Sequence, residues 1–293
     1  MEPPRILVIG KIGQVGWELG RTLGPLGQLV RIDYPEVDLA DGKSIQRWVR
    51  EVAPAMIVNA AAYTAVDKAE TETDLAMKIN GVAPGILAEE AKKTGALLVH
   101  YSTDYIFDGA KTEPYVEDDP PHPLGAYGRT KLAGEHAIQQ VGGRHLIFRL
   151  CWVYGARGHN FMLTIMRLAR EREKLRVVGD QIGSPTWSRM IAGATALALK
   201  QVLVAGDPGD FNGIYHLCAS GCTSWHGFAD AIVRLMPDEG KKCRQVEAIG
   251  TAEYPTPAKR PAYSVLSGEK LKRVFGLGLP PWEDSLKMVL DKI

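Results

Sequence analysis

The sequence predicts an α/β chain with a doubly wound parallel sheet and a smaller C-terminal α/β lobe, and three observations carry that prediction. Short β-branched runs alternate with helical-period stretches through the first 150 residues. The first run stops at a glycine-rich turn, and the next run ends on Asp33. Beyond residue 150 the periodicity loosens and Pro-rich segments enter, which marks a second lobe. At 293 residues the chain is long enough for two such units with a genuine core.

Taken in order, Arg5-Ile6-Leu7-Val8-Ile9 has the continuous apolar character of a strand buried on both faces, and it ends at Gly10. Val15, Leu19, Leu23 and Leu26 then recur at helical spacing, and Gln28 to Ile32 reads as a second strand that completes a βαβ unit. Asp41 opens an amphipathic helix to Val52, and Pro54 separates it from the strand Met56-Ile57-Val58-Asn59. Further on, the pattern predicts a helix over 74–94, a strand over 96–101, a helix over 127–140 and a strand over 146–150. A surface loop rich in Pro, Asp and Gly spans 108–123. Right-handed crossovers between parallel strands gather the loops after Ile9, Val58 and Tyr101 at one edge of the sheet. The second lobe offers a helix near 160–172, a loop over 179–186, an apolar helix over 191–206 and the irregular segment Tyr254 to Pro261.

Composition narrows the function classes. Hydrophobic residues at 45% and charged residues at 24% are those of a folded, water-soluble chain. A net charge of +1 supplies no field for nucleic acid or anionic lipid. The Ile191 to Gly206 stretch carries Lys200 and is shorter than a bilayer span, so no membrane segment is expected. The N-terminus runs from Met1 straight into a strand without a cleavage site, and the expected location is cytoplasmic. Cys151, Cys218, Cys222 and Cys243 are too sparse for a disulfide framework and are read as buried thiols. The seven histidines show no metal-ligand spacing, and His100 is read as a satisfied core residue; no metal site is predicted.

Gly10-Lys11-Ile12-Gly13-Gln14-Val15-Gly16 sits between a strand and a helix, with Asp33 ending the next strand. Glycines let backbone approach a pyrophosphate, the helix N-terminus supplies oriented N–H groups, and the carboxylate suits ribose hydroxyls. These features predict a dinucleotide in a Rossmann-type domain over 1–150. Part of 187–220 is expected to rejoin it, and 151–293 is expected to form mainly the substrate lobe. Tyr127-Gly128-Arg129-Thr130-Lys131 puts a phenol and an ammonium at i and i+4 on one helix face. Bringing a phenol from a pKa near 10 toward neutrality takes roughly 2–3 units, about 3–4 kcal/mol, and a nearby cation has the right sign. Tyr101-Ser102-Thr103-Asp104-Tyr105 brings hydroxyls and a carboxylate to the same edge, where they can bind a carbonyl or tune a proton donor.

These residues, with Asn59-Ala60-Ala61-Ala62, resemble the extended short-chain dehydrogenase/reductases that act on nucleotide sugars. Gly10 to Leu19, Thr64 to Glu70, Asn160-Phe161, Asp180 to Thr186 and Tyr254 to Pro261 resemble the dTDP-4-dehydrorhamnose reductase family in particular, over essentially the whole chain. The resemblance implies reduction of the C4 ketone of dTDP-4-dehydro-L-rhamnose by NADPH, with NADH possible. It implies Tyr127 as proton donor, Lys131 holding nicotinamide-ribose hydroxyls and favouring the tyrosinate, and Thr103 orienting the oxygen. It places Gly10, Gly13, Gln14, Val15, Gly16, Asp33, Asp38, Leu39, Ala62, Tyr63, Thr64, Tyr101, Tyr127 and Lys131 at the cofactor, and Thr103, Asp104 and Trp152 at the sugar nucleotide. Asp33 favours NADH, whereas Lys11 and Arg31 are near enough in sequence to receive a 2′-phosphate. Lys259-Arg260 is either a partner for the substrate diphosphate or a solvated basic pair.

Some relatives dimerise through Mg²⁺ held by glutamates, but Arg189 stands here after Trp187-Ser188, so a monomer or homodimer without an intersubunit metal is expected. A dehydratase of the same superfamily needs Asp-Glu after the threonine, and here Tyr105 follows Asp104. An epimerase, another dTDP-hexose 4-reductase, or a non-catalytic reductase-like regulatory subunit are the other readings.

Overall fold

The computed structural model describes residues 3–205 and 211–291. Met1 and Gly206, which enter the expectations above, lie outside them. The chain alternates β1 (Arg5–Ile9), α1 (Gln14–Thr22), β2 (Gln28–Ile32), α2 (Gly42–Val52), β3 (Met56–Asn59), α3 (Thr73–Met77), α4 (Ala83–Thr94), β4 (Leu97–Thr103), α5 (Ala126–Val141) and β5 (His145–Leu150). It continues through β6 (Val153–Tyr154), α6 (Phe161–Glu171), β7 (Lys174–Val178), β8 (Ile182–Gly183), β9 (Thr186–Trp187), α7 (Ser188–Ala205) and β10 (Gly213–His216). Last come β11 (Thr223–Ser224), α8 (Trp225–Leu235), β12 (Gln245–Ile249), α9 (Glu269–Phe275) and α10 (Trp282–Leu290).

Six parallel strands form the main sheet in the order β10-β5-β4-β3-β1-β2. Strand order reverses between β1 and β3, so their carboxyl ends diverge into a crevice, the usual ligand seat of an open α/β sheet. β1, β3 and β4 are buried almost throughout because helices cover both faces. One apolar layer joins the sheet to α1, α7 and α9 through Leu19, Ile191, Leu199 and Phe275. The other joins it to α2, α4 and α5 through Ile45, Val49, Leu87 and Ile138. The second lobe has its own core, in which α6, α8 and α10 pack Met162, Phe228 and Leu286 together beside paired β7 and β12. Among the described residues, no helix is long and apolar enough to cross a membrane.

The single helix expected over 74–94 is interrupted by a π-turn at Lys78–Val82. Pro84 lacks the N–H that would bond the carbonyl of Asn80, so the regular ladder fails there. The freed Asn80 does positional work: its side chain accepts from the Tyr63 N–H at 2.9 Å and donates to the Tyr63 carbonyl at 3.0 Å and to the Thr130 hydroxyl at 3.2 Å. It thereby ties the loop after β3 to α5. Of the four cysteines, Cys222 is exposed, contrary to the expectation that all are buried, because it lies in the loop just before β11.

Candidate active site

A cleft of about 1270 Å³ opens at the carboxyl edge of the sheet, walled by the loops after β1, β3 and β4 on one side and by α6, β7 and α8 on the other. Gly10, at φ +94°, starts its floor; a Cβ there would lie 2.7 Å from the Ala61 nitrogen. At Gly16 a Cβ would lie 1.9 Å from the Gly10 carbonyl oxygen. Only glycine lets this loop close on itself and on the turn after β3. Gly13 caps α1 without a side-chain hydrogen bond, and no acidic side chain stands in the first turn. Gln14 and Val15 line the cleft at the positive end of α1, whose first N–H groups have no partner within the helix. The Gln14 side chain is fixed by an Asn160 amide at 3.0 Å, which couples this loop to α6.

Asp33, Ala62, Thr64 and Tyr101 also line the cleft. Asp33 accepts from the Ile12 N–H at 3.0 Å and from the Tyr34 N–H at 2.9 Å. The Ser102 hydroxyl, buried in the same wall, has no hydrogen-bond partner. A glycine cradle, an open helix N-terminus and an orphaned hydroxyl fit a dinucleotide.

Four of the predicted cofactor residues do not line the cleft. Gly16 lies under the loop. Asp38 turns back to the Ala40 N–H at 2.8 Å, and Leu39 is in the core on the α2 face. The Tyr63 hydroxyl donates to Glu72 at 2.6 Å. Lys11 is paired with Glu36, and the Arg31 side chain lies against Gly20 on α1, so neither cation stands free beside Asp33.

The reactive groups meet where β4 ends against the start of α5. Gly128 lets α5 come down on the loop after β4, since a Cβ there would sit 2.1 Å from the Tyr105 carbonyl oxygen. That approach brings Tyr127 edge-on to Tyr105, with ring centroids 5.6 Å apart, and puts its hydroxyl beside Thr103. Burial pushes the Tyr127 phenol up to about 12; Thr103 pulls it down, and Asp104 pushes it up. Lys131 is not among the groups that move the phenol in the free protein. Lys131, only 2% exposed, donates to the Tyr101 carbonyl at 2.6 Å and lies 3.2 Å from Nε2 of His100, and burial brings its amine down to about 8. The amine is anchored to the strand, and desolvation outweighs any charge it lends the phenol.

Thr103 donates to Asp104 Oδ1 at 3.1 Å, while Cys151 donates to Asp104 Oδ2 at 3.3 Å. Burial raises this carboxyl to about 6. Asp104 thus fixes the Thr103 hydroxyl as well as lining the cleft. Trp152, at φ +44°, stacks on Trp225 of α8 at 3.5 Å and forms an aromatic wall. Trp225 carried no sequence signal, because only the fold brings it to Trp152. Arg260 reaches the cleft and pairs with Asp67 at 2.9 Å, whereas Lys259 is exposed and does not line it. Among the described residues, no group of three His, Cys, Asp or Glu could hold a metal ion.

The family model described as the RmlD substrate binding domain matches residues 4–293. The dTDP-4-dehydrorhamnose reductase of Burkholderia thailandensis is 50% identical over 283 residues, covering 95% of each chain. That of Salmonella typhimurium is 45% identical, covering 98% of this chain and 97% of its own. Among solved structures, a dTDP-4-dehydrorhamnose reductase from Bacillus anthracis in complex with NADP is 34% identical with a TM-score of 0.90, covering all of both chains. A Clostridium acetobutylicum dTDP-4-dehydrorhamnose reductase is 37% identical with a TM-score of 0.89, covering 98% of this chain and 99% of that one. The chain belongs to the dTDP-4-dehydrorhamnose reductase family of nucleotide-sugar short-chain dehydrogenase/reductases.

Proposed function

We propose that this protein reduces the C4 ketone of dTDP-4-dehydro-L-rhamnose to dTDP-L-rhamnose, the final step of dTDP-L-rhamnose biosynthesis, with NADPH as the preferred reductant and NADH as a second one. The observation that carries the reading is the convergence of Tyr127, Thr103 and Lys131 at the foot of the glycine loop, in one cleft large enough for two nucleotides. When bound, NADPH supplies the hydride that reaches the C4 carbon. Tyr127 gives its proton to the carbonyl oxygen. A phenol held protonated by burial is in the right state for this, because the developing alkoxide is a far stronger base than a phenolate. Thr103 donates to the same oxygen once it turns from Asp104, and Lys131 holds the ribose hydroxyls on the α5 side.

The glycine loop, Asp33, Ala62, Thr64 and Tyr101 seat the dinucleotide in residues 1–150, and residues 151–293 supply most of the sugar-nucleotide site. Trp152 faces the sugar and Arg260 the diphosphate. Lys11 reaches a 2′-phosphate by leaving Glu36. Tyr105 occupies the position where a dehydratase needs a carboxylate, and burial raises its phenol, so it does not take the part of that second carboxylate in eliminating water. The enzyme works in the cytoplasm as a monomer or homodimer without an intersubunit metal; Arg189 is tied to Glu18 at 3.3 Å. Absorbance at the nicotinamide band tests the reading: NADPH is consumed only when enzymatically prepared dTDP-4-dehydrorhamnose is added. No consumption with that sugar, under conditions where the coenzyme binds, refutes it.

A further inference from the structure

Behind the reacting hydroxyls lies a second polar chain. His100, on β4, is 1% exposed. Its Nδ1 lies 3.2 Å from the Asn59 side-chain nitrogen on β3, and its Nε2 lies 3.2 Å from Nζ of Lys131 on α5. The Asn59 amide has a fixed orientation: its oxygen accepts from the Ala61 N–H at 3.3 Å, and reversing it would set two donors against each other. Nδ1 of His100 therefore faces a donor and must accept. A neutral imidazole that accepts at Nδ1 carries its hydrogen on Nε2, and that hydrogen points at the Lys131 amine. An ammonium has no lone pair to receive it; a neutral amine does.

We propose that His100 is a positioning residue that sets the charge of Lys131: clamped by Asn59 with its hydrogen on Nε2, it favours the neutral amine in the free enzyme and so fixes the pH at which the lysine gains and loses its proton. The surrounding groups agree. Burial alone, with the ring 1% exposed, holds the imidazole well below its ordinary pKa, so it stays neutral whether or not Lys131 carries a charge. Glu135, one turn along α5, favours the ammonium but is bound to Arg149 of β5 at 2.7 Å. Arg149 in turn faces His216 of β10 at 3.4 Å. Asp104, past the end of β4, acts on Tyr127. Asn59 is uncharged, and the Tyr101 carbonyl accepts from the amine in either state.

The inference takes Lys131 as the lysine of the proposed reaction, yet its primary tests need no turnover. In free protein labelled with ¹⁵N-histidine, the ring of His100, assigned by its loss in His100→Gln, shows Nε2 protonated and Nδ1 bare across pH 6–9. In protein labelled with ¹³C-lysine, the ε-carbon of Lys131 titrates about one pH unit higher in His100→Gln than in wild type, a tenfold gain in proton affinity, because a glutamine oxygen accepts from the ammonium. The alkaline limb of kcat/KM for NADPH, which reports the free enzyme, moves up by the same amount, which a purely structural loss of activity would not produce. A hydrogen on Nδ1, a cationic ring, or an unmoved Lys131 titration in a variant that melts like wild type overturns the proposal. Should the ring and the lysine behave as stated while no dTDP-4-keto sugar is reduced, the clamp stands and the substrate assignment falls.

Discussion

Replacing Gly16 by alanine is a sharp test of the glycine loop. The added Cβ would lie 1.9 Å from the Gly10 oxygen and 2.7 Å from the Gly10 carbonyl carbon, both backbone atoms of the turn that ends β1. Reaching even the tightest tolerated separation of 3.0 Å requires the start of α1 and that turn to part by about 1.1 Å. Two effects oppose each other in stability. Alanine gains about 1 kcal/mol over glycine inside a helix, and overpacking costs about 1–3 kcal/mol. With the typical overpacking cost the net loss is about 0–2 kcal/mol, a Tm drop of about 2–4 °C per kcal/mol. Affinity responds more strongly, because the same movement pulls the N–H groups at Gln14 and Val15 off the pyrophosphate. Weakening two N–H bonds to a charged pyrophosphate, each worth about 1.5–3 kcal/mol, lowers affinity on the order of 10²-fold. Calorimetric titration with NADPH is the assay, with melting as the control for folding. Gly13→Ala serves as comparison for stability, since its Cβ meets only the Gly10 oxygen at an ordinary 3.5 Å. A Gly16→Ala protein that binds NADPH within threefold of wild type would refute the assignment of this loop.

Other perturbations follow from single contacts. Lys11→Ala removes the cation that can leave Glu36 for a 2′-phosphate, so the ratio of kcat/KM for NADPH over NADH falls about tenfold; an unchanged ratio places the phosphate elsewhere. Arg260→Ala raises KM for the dTDP sugar about tenfold or more with a smaller change in kcat, because a charge-assisted contact to diphosphate is worth about 1.5–3 kcal/mol; an unchanged KM removes Arg260 from the site. Glu90 is held down at about 2 by Arg50 first and by Lys93, so its carboxylate favours the folded state above the ordinary glutamate range, and that contribution is lost as pH falls toward 2. Melting followed from pH 6 to pH 2 shows a loss that Glu90→Gln does not share; equal losses in both proteins would deny Glu90 that part.

Much of this architecture could be read before the fold was known. Arg5–Ile9 and Met56–Asn59 are strands with the bounds their β-branched composition suggests, because a strand buried on both faces needs little beyond local pattern. The π-turn at Lys78–Val82 was visible only as Pro84, whose consequence depends on Asn80 finding Tyr63 and Thr130. In the second lobe, β7 and β12 pair in register although separated by most of that lobe, and β6, β8, β9 and β11 are two residues each, too short to leave a period. At the site, the i, i+4 spacing of Tyr127 and Lys131 put both on one helix, but it said nothing of where the amine points. The Tyr101 carbonyl and His100 claim it from another element. The spacing also gave the sign of the cation's effect on the phenol but not the weight of burial, which is the largest influence on Tyr127 in the free protein once α5 closes over β4.

The measurement that bears most directly on the account is the turnover of Tyr127→Phe with NADPH and dTDP-4-dehydrorhamnose at pH 7. Removing the proton donor while leaving the ring predicts kcat/KM lower by about 10²–10⁴-fold, with NADPH affinity within threefold of wild type. A Tyr127→Phe enzyme that keeps more than a tenth of wild-type kcat/KM would mean that another group protonates the C4 oxygen.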